Sequence, residues 1–457
     1  MKADVVVVGA GPAGMSAAMV LSGAGASVYV VDEQPAPGGQ IYRAIERPGN
    51  VARYGEDYAA GADIVGKFRG TDIEVCYETS VWDIEGGASP RVGLADPGRA
   101  QFVDTRHIIL ATGAMERTMP FPGWTLPGVM GVGAAQILLK ESGLVPEGRV
   151  VIAGTGPLAL LYARQMVEAG SKPECVLDTG SAGVPVGLWW HLARALATDA
   201  GALFKGLAWV RELRNAGVRR MCNVRSLRAF GTDRLEAVEY THNGTVHRVE
   251  ADTLLIHDGV VPNTHLALAA GCEHRWNELQ CCWTPLVDEN GATTRTGISI
   301  AGDGAGIAGA EAAACRGRIA AHHVARLLGL IDERQCRLGY AADCRRLSRI
   351  RVLREFLDRQ YRPASATGTP HDDTEICRCE EVTAGQIREV AALGCMGPNQ
   401  GKAFTRCGMG PCMGRQCGDT VSQILAEYHH LPVADIGHYR IRPPVRPITV
   451  GQLADLE

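Results

Sequence analysis

Residues 4–14 read Asp-Val-Val-Val-Val-Gly-Ala-Gly-Pro-Ala-Gly, and this stretch decides the fold of the first part of the chain. Its four valines predict a buried strand, because β-branched side chains favour extended backbone. An alanine-rich helix is predicted from Met15 to Leu21, and a second strand runs from Ser27 to Val31 before an acidic pair. Strand, glycine turn, helix, strand and acid in this order form the βαβ fingerprint of a dinucleotide-binding domain.

The three glycines of this turn have separate predicted roles. Gly9 makes the tight turn, Gly11 lets a pyrophosphate approach the backbone, and Gly14 lets the helix pack on the strand. Pro12 and Ala13 open the helix, whose N-terminus faces the phosphates with its positive dipole end. The turn is therefore predicted to bind the pyrophosphate of a dinucleotide.

The acidic pair and three later motifs indicate which dinucleotide binds. Asp32 is predicted to accept hydrogen bonds from the ribose hydroxyls, with Glu33 as the alternative. The later motifs, at residues 37–40, 109–114 and 297–304, follow in an order that resembles two-domain flavin reductases. This resemblance implies FAD, with Asp303 on its ribityl chain. The predicted FAD-site residues are Gly9, Gly11, Pro12, Ala13, Gly14, Asp32, Glu33, Gln34, Gly39, Gln40, Val81, Ala111, Thr112, Gly113, Gly302 and Asp303.

A second unit of the same type begins at the apolar strand 149–153. Its turn, residues 154–159, has alanine in place of the third glycine, and Asp178 ends the next strand. This unit lies between Thr112 and Gly302, and in this position it resembles the NAD(P)H domain of the glutathione-reductase-like superfamily. Asp178 favours a free ribose hydroxyl, so NAD or another adenine nucleotide is predicted rather than NADP; a vestigial domain that binds no nicotinamide stays open. The predicted contacts are Gly154, Gly156, Pro157 and Leu158.

The chain has 15 cysteines, and their pattern differs along the sequence. Neither nucleotide region carries the Cys-x-x-Cys of disulfide reductases, and the adjacent Cys281 and Cys282 are interpreted as structural. After residue 376 come Cys377-Arg378-Cys379 and a stretch, 405–417, with three more cysteines among glycines. Thiolates on glycine-rich turns beside helix N-termini favour a polynuclear iron site, because cluster ligation needs soft anionic sulfur and nearby N–H groups. Zinc is the alternative, although its sites usually use Cys-x₂₋₄-Cys pairs.

This tail resembles the [2Fe-2S] domain of bacterioferritin-associated ferredoxin, in which a Cys-x-Cys is followed further on by a second cysteine pair. The resemblance implies four cluster ligands: Cys377, Cys379, Cys412 and Cys417. The second pair is wider here than in the ferredoxin, so Cys407 is a competing ligand and Cys395 a more distant one. Between the two cysteine segments, Thr383 and Gln386 predict a capping box for a helix that runs to Leu393.

Composition and charge narrow the class of function. The formal net charge of −4 argues against nucleic-acid binding. The one basic stretch, Arg345 to Arg354, alternates with Leu and Ile at helical spacing and is interpreted as a solvated helix face, with an anionic partner site as the alternative. No apolar run reaches the ~18 residues that span a bilayer. The first strand follows the initiating methionine without a leader pattern. A cytoplasmic protein is therefore expected, peripheral to the inner membrane only through partners.

Further motifs extend the resemblance over nearly the entire chain: residues 39–43, 126–130 and 439–444, together with the two cysteine segments. They resemble the α subunit of the bacterial FAD/[2Fe-2S] amine dehydrogenase family, which includes opine oxidases, D-hydroxyproline and L-proline dehydrogenases and hydrogen cyanide synthase. The resemblance implies a β subunit, which is a flavoprotein similar to D-amino-acid oxidase that oxidises the substrate C–N bond, and allows a small γ subunit. It also implies electron relay to an acceptor and allows an FMN at a subunit interface.

The expected function is that of a flavin- and cluster-containing oxidoreductase subunit. It would accept and relay electrons from the oxidation of an amine or imino acid of the opine, hydroxyproline or proline type. Catalytic residues stay unassigned, because His257, His265 and His274 are isolated in the sequence and are interpreted as structural. The alternatives are a self-sufficient NADH-dependent flavin and iron–sulfur reductase, and an assembly or electron-storage module without turnover.

The predicted fold class is α/β, with two Rossmann-like domains of the glutathione-reductase type and a small α-rich [2Fe-2S] domain. An amphipathic helix is predicted from Cys344 to about Tyr361. The predicted domains are residues 1–115 with 280–330 for FAD, 116–279 for the inserted NAD-type unit, 331–370 for a helix and linker, 371–430 for the [2Fe-2S] domain and 431–457 for a tail.

Overall fold

A computed structural model describes residues 2–364 and 369–456, so residues 365–368 of the predicted linker lie outside the described residues. The elements of the first part are β1 (Lys2–Val8), α1 (Pro12–Gly23), β2 (Val28–Val31), α2 (Asn50–Tyr54), α3 (Glu56–Arg69), β3 (Glu74–Cys76), β4 (Ser80–Glu85), β5 (Arg91–Ala95), β6 (Ala100–Leu110) and β7 (Ala114–Glu116). Those of the middle part are β8 (Val129–Gly131), α4 (Val132–Ser142), β9 (Val150–Thr155), α5 (Pro157–Glu168), β10 (Cys175–Asp178), α6 (Trp189–Asn215), β11 (Arg219–Met221), β12 (Arg225–Phe230), β13 (Ala237–His242), β14 (Thr245–Glu250), β15 (Thr253–Asp258) and β16 (Val260–Pro262).

The last part begins at residue 265 and returns to the first sheet before it forms the cysteine-rich region. Its elements are α7 (His265–Ala269), β17 (His274–Asn277), β18 (Cys282–Pro285), β19 (Ile298–Ile300), α8 (Ala310–Leu327), α9 (Glu333–Gln360), β20 (Glu375–Cys377), β21 (Val382–Thr383), α10 (Ala384–Ala392), α11 (Pro398–Thr405), α12 (Gly418–His429), α13 (Val433–Ile436) and α14 (Val450–Ala454). Single 3₁₀ turns lie at Val186–Leu188 and Gly302–Ala305.

Seven strands form the first sheet, in the order β3-β2-β1-β6-β5-β4, with β19 paired to β6. β1, β2, β3 and β6 are parallel to their neighbours, whereas β4, β5 and the start of β6 form an antiparallel meander. β19 pairs in parallel with the end of β6, although nearly 190 residues separate them. The carboxyl ends of β1, β6 and β19 therefore meet at one edge, where ligands of open α/β sheets bind.

The second sheet has five parallel strands in the order β11-β10-β9-β15-β8. α4 and α5 cover it, and their buried side chains share a core with β9 and β15. A separate antiparallel sheet, β12-β13-β14, packs beside it. Two Rossmann-like units are thus present, and the predicted α/β fold class is confirmed.

The cysteine-rich region is built on α10, α11 and α12 around a core of its own. The predicted capping box of α10 is confirmed, because the Thr383 hydroxyl accepts from the Gln386 N–H and the Gln386 side chain accepts from the Thr383 N–H. The predicted start of the preceding helix at Cys344 was wrong: α9 begins at Glu333, after a capping box formed by Asp332 and Gln335. The first turns of α9 are mostly polar, so the apolar periodicity that predicts a helix begins only later in the sequence.

The C-terminal tail connects the cysteine-rich region to the first sheet. The Val445 N–H donates to the Trp82 carbonyl on β4, at 2.8 Å. Arg446 forms an ion pair with Glu33, at the end of β2. Leu266 and Leu268 of α7 pack against the core of the cysteine-rich region. Among the described residues, no helix is long and apolar enough to cross a membrane.

Candidate cofactor sites

The first glycine turn, between β1 and α1, leaves no room for a side chain at Gly9 or Gly14, whereas a Cβ at Gly11 would lie 3.8 Å from the Gly39 Cα, an ordinary contact. A Cβ at Gly14 would lie 1.7 Å from the Gly9 carbonyl oxygen, and one at Gly9, where φ is +108°, would lie 2.5 Å from that of Ala111. Gly39 lies over the turn, because its Cβ would come within 3.0 Å of the Gly11 Cα. No side chain caps the first N–H groups of α1, so they are free for an anion. This cradle fits a pyrophosphate.

Asp32 faces the turn, as expected for a ribose-binding acid. Its carboxylate accepts from the Ala10 N–H at 2.5 Å and from the Gln34 N–H at 2.7 Å. Burial raises the pKa of Asp32 despite these two donors. Glu33 instead points outward and is held by Arg446. The structure therefore brings Asp32, rather than Glu33, to the glycine turn.

Motifs far apart in sequence meet beside this turn. A Cβ at Gly302 would lie 2.7 Å from that of Ala13, and one at Gly304 would lie 3.2 Å from the Thr112 hydroxyl. Asp303 accepts two backbone hydrogen bonds, from the N–H groups of residues 308 (2.9 Å) and 309 (3.0 Å), which fix its carboxylate at the start of α8. The pairing of β19 with β6 thus brings the predicted ribityl-binding aspartate to the site.

Four other predicted FAD-site residues lie near the margins of the site around the first glycine turn. Val81 is a buried core residue of the first sheet, so only its backbone could contact a ligand there. Gln40 is exposed next to the glycines that cover the turn, and Gln34 accepts from the Arg43 guanidinium. Gly113 follows Thr112 with a φ of +65°.

The second glycine turn, between β9 and α5, is packed against His257. A Cβ at Gly154 would lie 1.8 Å from the His257 carbonyl oxygen, and one at Gly156 would lie 3.4 Å from the imidazole Cδ2. Pro157 and Leu158 open α5. His257 is buried, and its Nδ1 is 2.7 Å from a Glu116 carboxylate oxygen. This histidine, interpreted from the sequence as isolated and structural, lies near the carboxyl end of the buried strand β15, where that strand meets the turn.

Asp178 differs from Asp32 in having a cationic partner. One of its oxygens accepts from the Gly180 N–H at 2.7 Å, and the other accepts from Arg220 at 2.6 and 3.0 Å. Arg220 comes from the neighbouring strand β11, which no sequence motif indicated. The end of α9 covers the following loop, since the Gln360 amide donates to the Ser181 hydroxyl at 3.3 Å. The Asp178 carboxylate therefore already accepts hydrogen bonds from groups of the protein itself.

Five cysteines come together in the C-terminal region, in a group of three and an adjacent pair. The sulfurs of Cys377, Cys407 and Cys417 all lie within 4.8 Å of one another, and all three residues are buried. The trio contains two of the four predicted ligands, Cys377 and Cys417, together with the competing candidate Cys407. The other two predicted ligands, Cys379 and Cys412, contact each other.

Hydrogen-bond donors surround these sulfurs, as a cluster requires. Cys377 accepts from the thiols of Cys407 and Cys417 and from the N–H groups of Gly408 and Glu380, and these donors hold its pKa far below the usual value. The Cys412 N–H donates to the sulfur of Cys379. Cysteine sulfurs with convergent backbone N–H groups fit an iron–sulfur cluster.

The remaining cysteines and histidines lie outside this group. Cys395 is buried, and its thiol donates to the Gly397 carbonyl at 3.3 Å. Cys281 and Cys282 are buried and form no disulfide. His265 was interpreted as isolated. Instead it connects α7 to the cysteine loop, residues 405–417, with its Nε2 at 3.1 Å from the Met413 carbonyl oxygen. Burial lowers the pKa of His265 to about 3, so the neutral ring donates this bond.

A family model described as pyridine nucleotide-disulphide oxidoreductase matches residues 3–329. The chain is 42% identical to an opine oxidase subunit of Agrobacterium tumefaciens (strain Ach5), over 99% of this chain and 92% of that one. It is 32% identical to hydrogen cyanide synthase subunit HcnB of Pseudomonas protegens, over 98% and 97% of the two chains. Among solved structures, L-proline dehydrogenase from P. horikoshii superposes with a TM-score of 0.73 at 20% identity, over 99% of this chain and 79% of that one. This last likeness concerns the fold alone.

Proposed function

Because this chain belongs to the pyridine nucleotide-disulphide oxidoreductase family, and within it to the group of these opine oxidase and hydrogen cyanide synthase subunits, we propose that it is the electron-relaying subunit of an amine dehydrogenase. A partner subunit oxidises the C–N bond of a secondary amine or imino acid, and this chain receives the electrons. The relatives are themselves named as subunits, which supports a heteromeric complex. The chain is thus a flavin-dependent oxidoreductase whose substrate pocket lies in its partner.

The observation that carries this proposal is the group of cysteines in a chain whose first part has a flavoprotein fold. Clustered buried thiols at the end of such a chain fit a second redox centre beside the flavin. When bound, FAD accepts two electrons and can release them singly, and a [2Fe-2S] cluster supplies a one-electron carrier. The fit of both sites to these groups supports a relay.

The residues of this chain would hold the two groups in different ways. The uncapped N–H groups of α1 bind the pyrophosphate, Asp32 binds the ribose and Asp303 the ribityl chain. We propose that the cluster ligands are Cys377, Cys379, Cys412 and Cys417, with Cys407 as the competing ligand.

We extend the proposal to the domains and the remaining cofactors. The FAD domain comprises residues 1–115 and 280–330, and the inserted unit 116–279 binds NAD or another adenine nucleotide, or has lost that role. Residues 371–430 form the [2Fe-2S] domain. An FMN at the interface with a β subunit similar to D-amino-acid oxidase, and a small γ subunit, complete the assembly, which works in the cytoplasm or at the inner membrane through partners.

The rival function is that of a self-sufficient NADH-dependent reductase. The second glycine turn favours it, because Gly154 and Gly156 keep the backbone of a nucleotide-binding site, with φ values of +126° and +114°. The ion pair between Arg220 and Asp178 weighs against it, since the carboxylate that would bind the ribose is already partly engaged.

The proposal is tested by low-temperature EPR on the anaerobically purified, dithionite-reduced chain, with iron and acid-labile sulfide assayed on the same sample. We expect a rhombic spin-half signal and about two irons and two sulfides per chain. Cys379→Ser should abolish the signal while FAD stays bound. Cys395→Ser is the matched control, because this buried thiol lies outside the group of five. A silent sample that contains zinc and no sulfide would refute the relay.

A further inference from the structure

Tyr439, in the tail after α13, occupies a slot formed by glycines that flank the cysteines. A Cβ at Gly408 would lie 2.5 Å from the Tyr439 Cζ, and one at Gly414 would lie 2.5 Å from its Cδ2. Gly418 closes the slot, since its Cβ would lie 3.3 Å from the same Cδ2. The ring is 4% exposed, and the Lys402 ammonium lies 4.6 Å from its centroid. The absence of these three side chains therefore lets an aromatic ring reach the cysteine loops.

The hydroxyl of Tyr439 points toward the sulfurs. It lies beside Cys407, with Cys417 and Cys377 as its other titratable neighbours. Its oxygen is fully buried, and its contact with the Cys407 sulfur is a hydrogen bond of poor direction. Buried tyrosine hydroxyls usually have a hydrogen-bond partner, and the acceptors within reach of this one are the sulfurs of Cys407 and of the proposed ligands Cys417 and Cys377.

Charge determines the direction of that hydrogen bond. A phenol carries its proton at neutral pH and can donate it to a hydrogen bond. A thiolate or a cluster sulfur carries negative charge and accepts. A hydrogen bond to such a sulfur stabilises the more negative, reduced form of a cluster and thereby raises its reduction potential.

We propose that the Tyr439 hydroxyl donates a hydrogen bond to a sulfur of the [2Fe-2S] centre and sets its reduction potential. This inference rests on the cluster of the proposed function. Tyr439 is then a positioning residue that contributes a donor to the centre, and not a ligand. It also assigns a role to the 439–444 motif of the tail, which brings the ring into the slot.

The experiment is a redox titration of the whole chain, monitored by EPR, for the wild type and Tyr439→Phe. The variant keeps the ring and loses only the O–H. We expect unchanged iron and sulfide content and a shift of the midpoint to more negative potential. At the wild-type midpoint, the ratio of reduced to oxidised cluster should fall several-fold. Tyr428→Phe is the matched control, because that tyrosine lies on α12 with 42% of its surface exposed, and its midpoint should not move.

The outcomes distinguish a failure of this inference from a failure of the proposed function. A wild-type chain without a cluster overturns the proposed function and the inference together. A wild-type cluster with an unchanged midpoint in Tyr439→Phe overturns the inference alone. If the phenylalanine variant loses its cluster, 3-fluorotyrosine at position 439 keeps the ring and donates more strongly. Its midpoint should then move to more positive potential, and an unmoved midpoint contradicts the inference.

Discussion

At the scale of single residues, the cysteine region offers five thiols for four ligand positions. Cys412 contacts Cys379, whereas Cys407 lies in the buried trio with Cys377 and Cys417. We expect Cys412→Ser to lose the cluster and Cys407→Ser to retain it, since the proposed set includes Cys412. Iron and sulfide per chain, measured on both variants, decide the matter. If Cys407→Ser alone loses the cluster, Cys407 replaces Cys412 in the set.

Asp32 and Glu33 provide a second test, because neighbouring acids have different surroundings. Asp32 accepts from the glycine turn, and Glu33 is held by Arg446 at the surface. Asp32→Asn should weaken FAD binding at least tenfold, corresponding to about 1.4 kcal/mol, and Glu33→Gln should change it by less than about twofold. Titration of the apoprotein with FAD, followed by flavin fluorescence, measures both. Equal losses in the two variants would show that neither acid is specific for the ribose.

The residue scale also shows what sequence reasoning can and cannot reach. Asp32 and the glycine turns follow from local patterns, because each lies at a fixed place in a strand–turn–helix unit, whereas Asp303 was implied by the resemblance to flavin reductases. The contacts of His257 with Glu116 and of Arg220 with Asp178 were not predicted, since each joins residues far apart in the sequence and no local pattern links them. The hydrogen bond from His265 to the cysteine loop was missed for the same reason.

At the scale of elements, the close packing of α1 on the first sheet depends on the absence of a side chain at Gly14. A Cβ at Gly14 would lie 1.7 Å from the Gly9 carbonyl oxygen, whereas Gly23, at the end of the same helix, has no atom within 4 Å of its Cβ position. Gly14→Ala should therefore displace the helix, lower the stability by about 1–3 kcal/mol and yield protein without flavin. Gly23→Ala should retain both. Denaturant unfolding and the flavin content of the purified variants measure this difference, and a stable, flavin-loaded Gly14→Ala would contradict the packing.

The helices illustrate how boundaries depend on local chemistry. The capping box of α10 was predictable, because Thr383 and Gln386 have the required spacing. The start of α9 was predicted too late, because its first turns are polar on most faces and lack the apolar periodicity that marks a helix. Its own capping box, Asp332 with Gln335, was the signal available in the sequence.

At the scale of the whole molecule, the two Rossmann-like units are not equivalent. Among the described residues, the acid of the first unit, Asp32, forms no ion pair, whereas Asp178 of the second is paired with Arg220. We expect NADH to reduce the FAD of the purified chain slowly, and the amine substrate of the intact complex to reduce it rapidly. Stopped-flow measurement of flavin bleaching, with NADPH as the control nucleotide, tests this. Rapid bleaching by NADH would favour the self-sufficient reductase.

The pairing of β19 with β6 also has a consequence for how the protein is made. The first sheet and its flavin site need residues 298–304, so they cannot be completed while the ribosome has delivered only the first half of the chain. At typical rates of synthesis, the interval between β6 and β19 lasts roughly 10–40 s. The second sheet, which is continuous between them, can fold in that time. Flavin loading is therefore a late event in biogenesis, and the nascent first domain exposes an unpaired strand edge until β19 arrives.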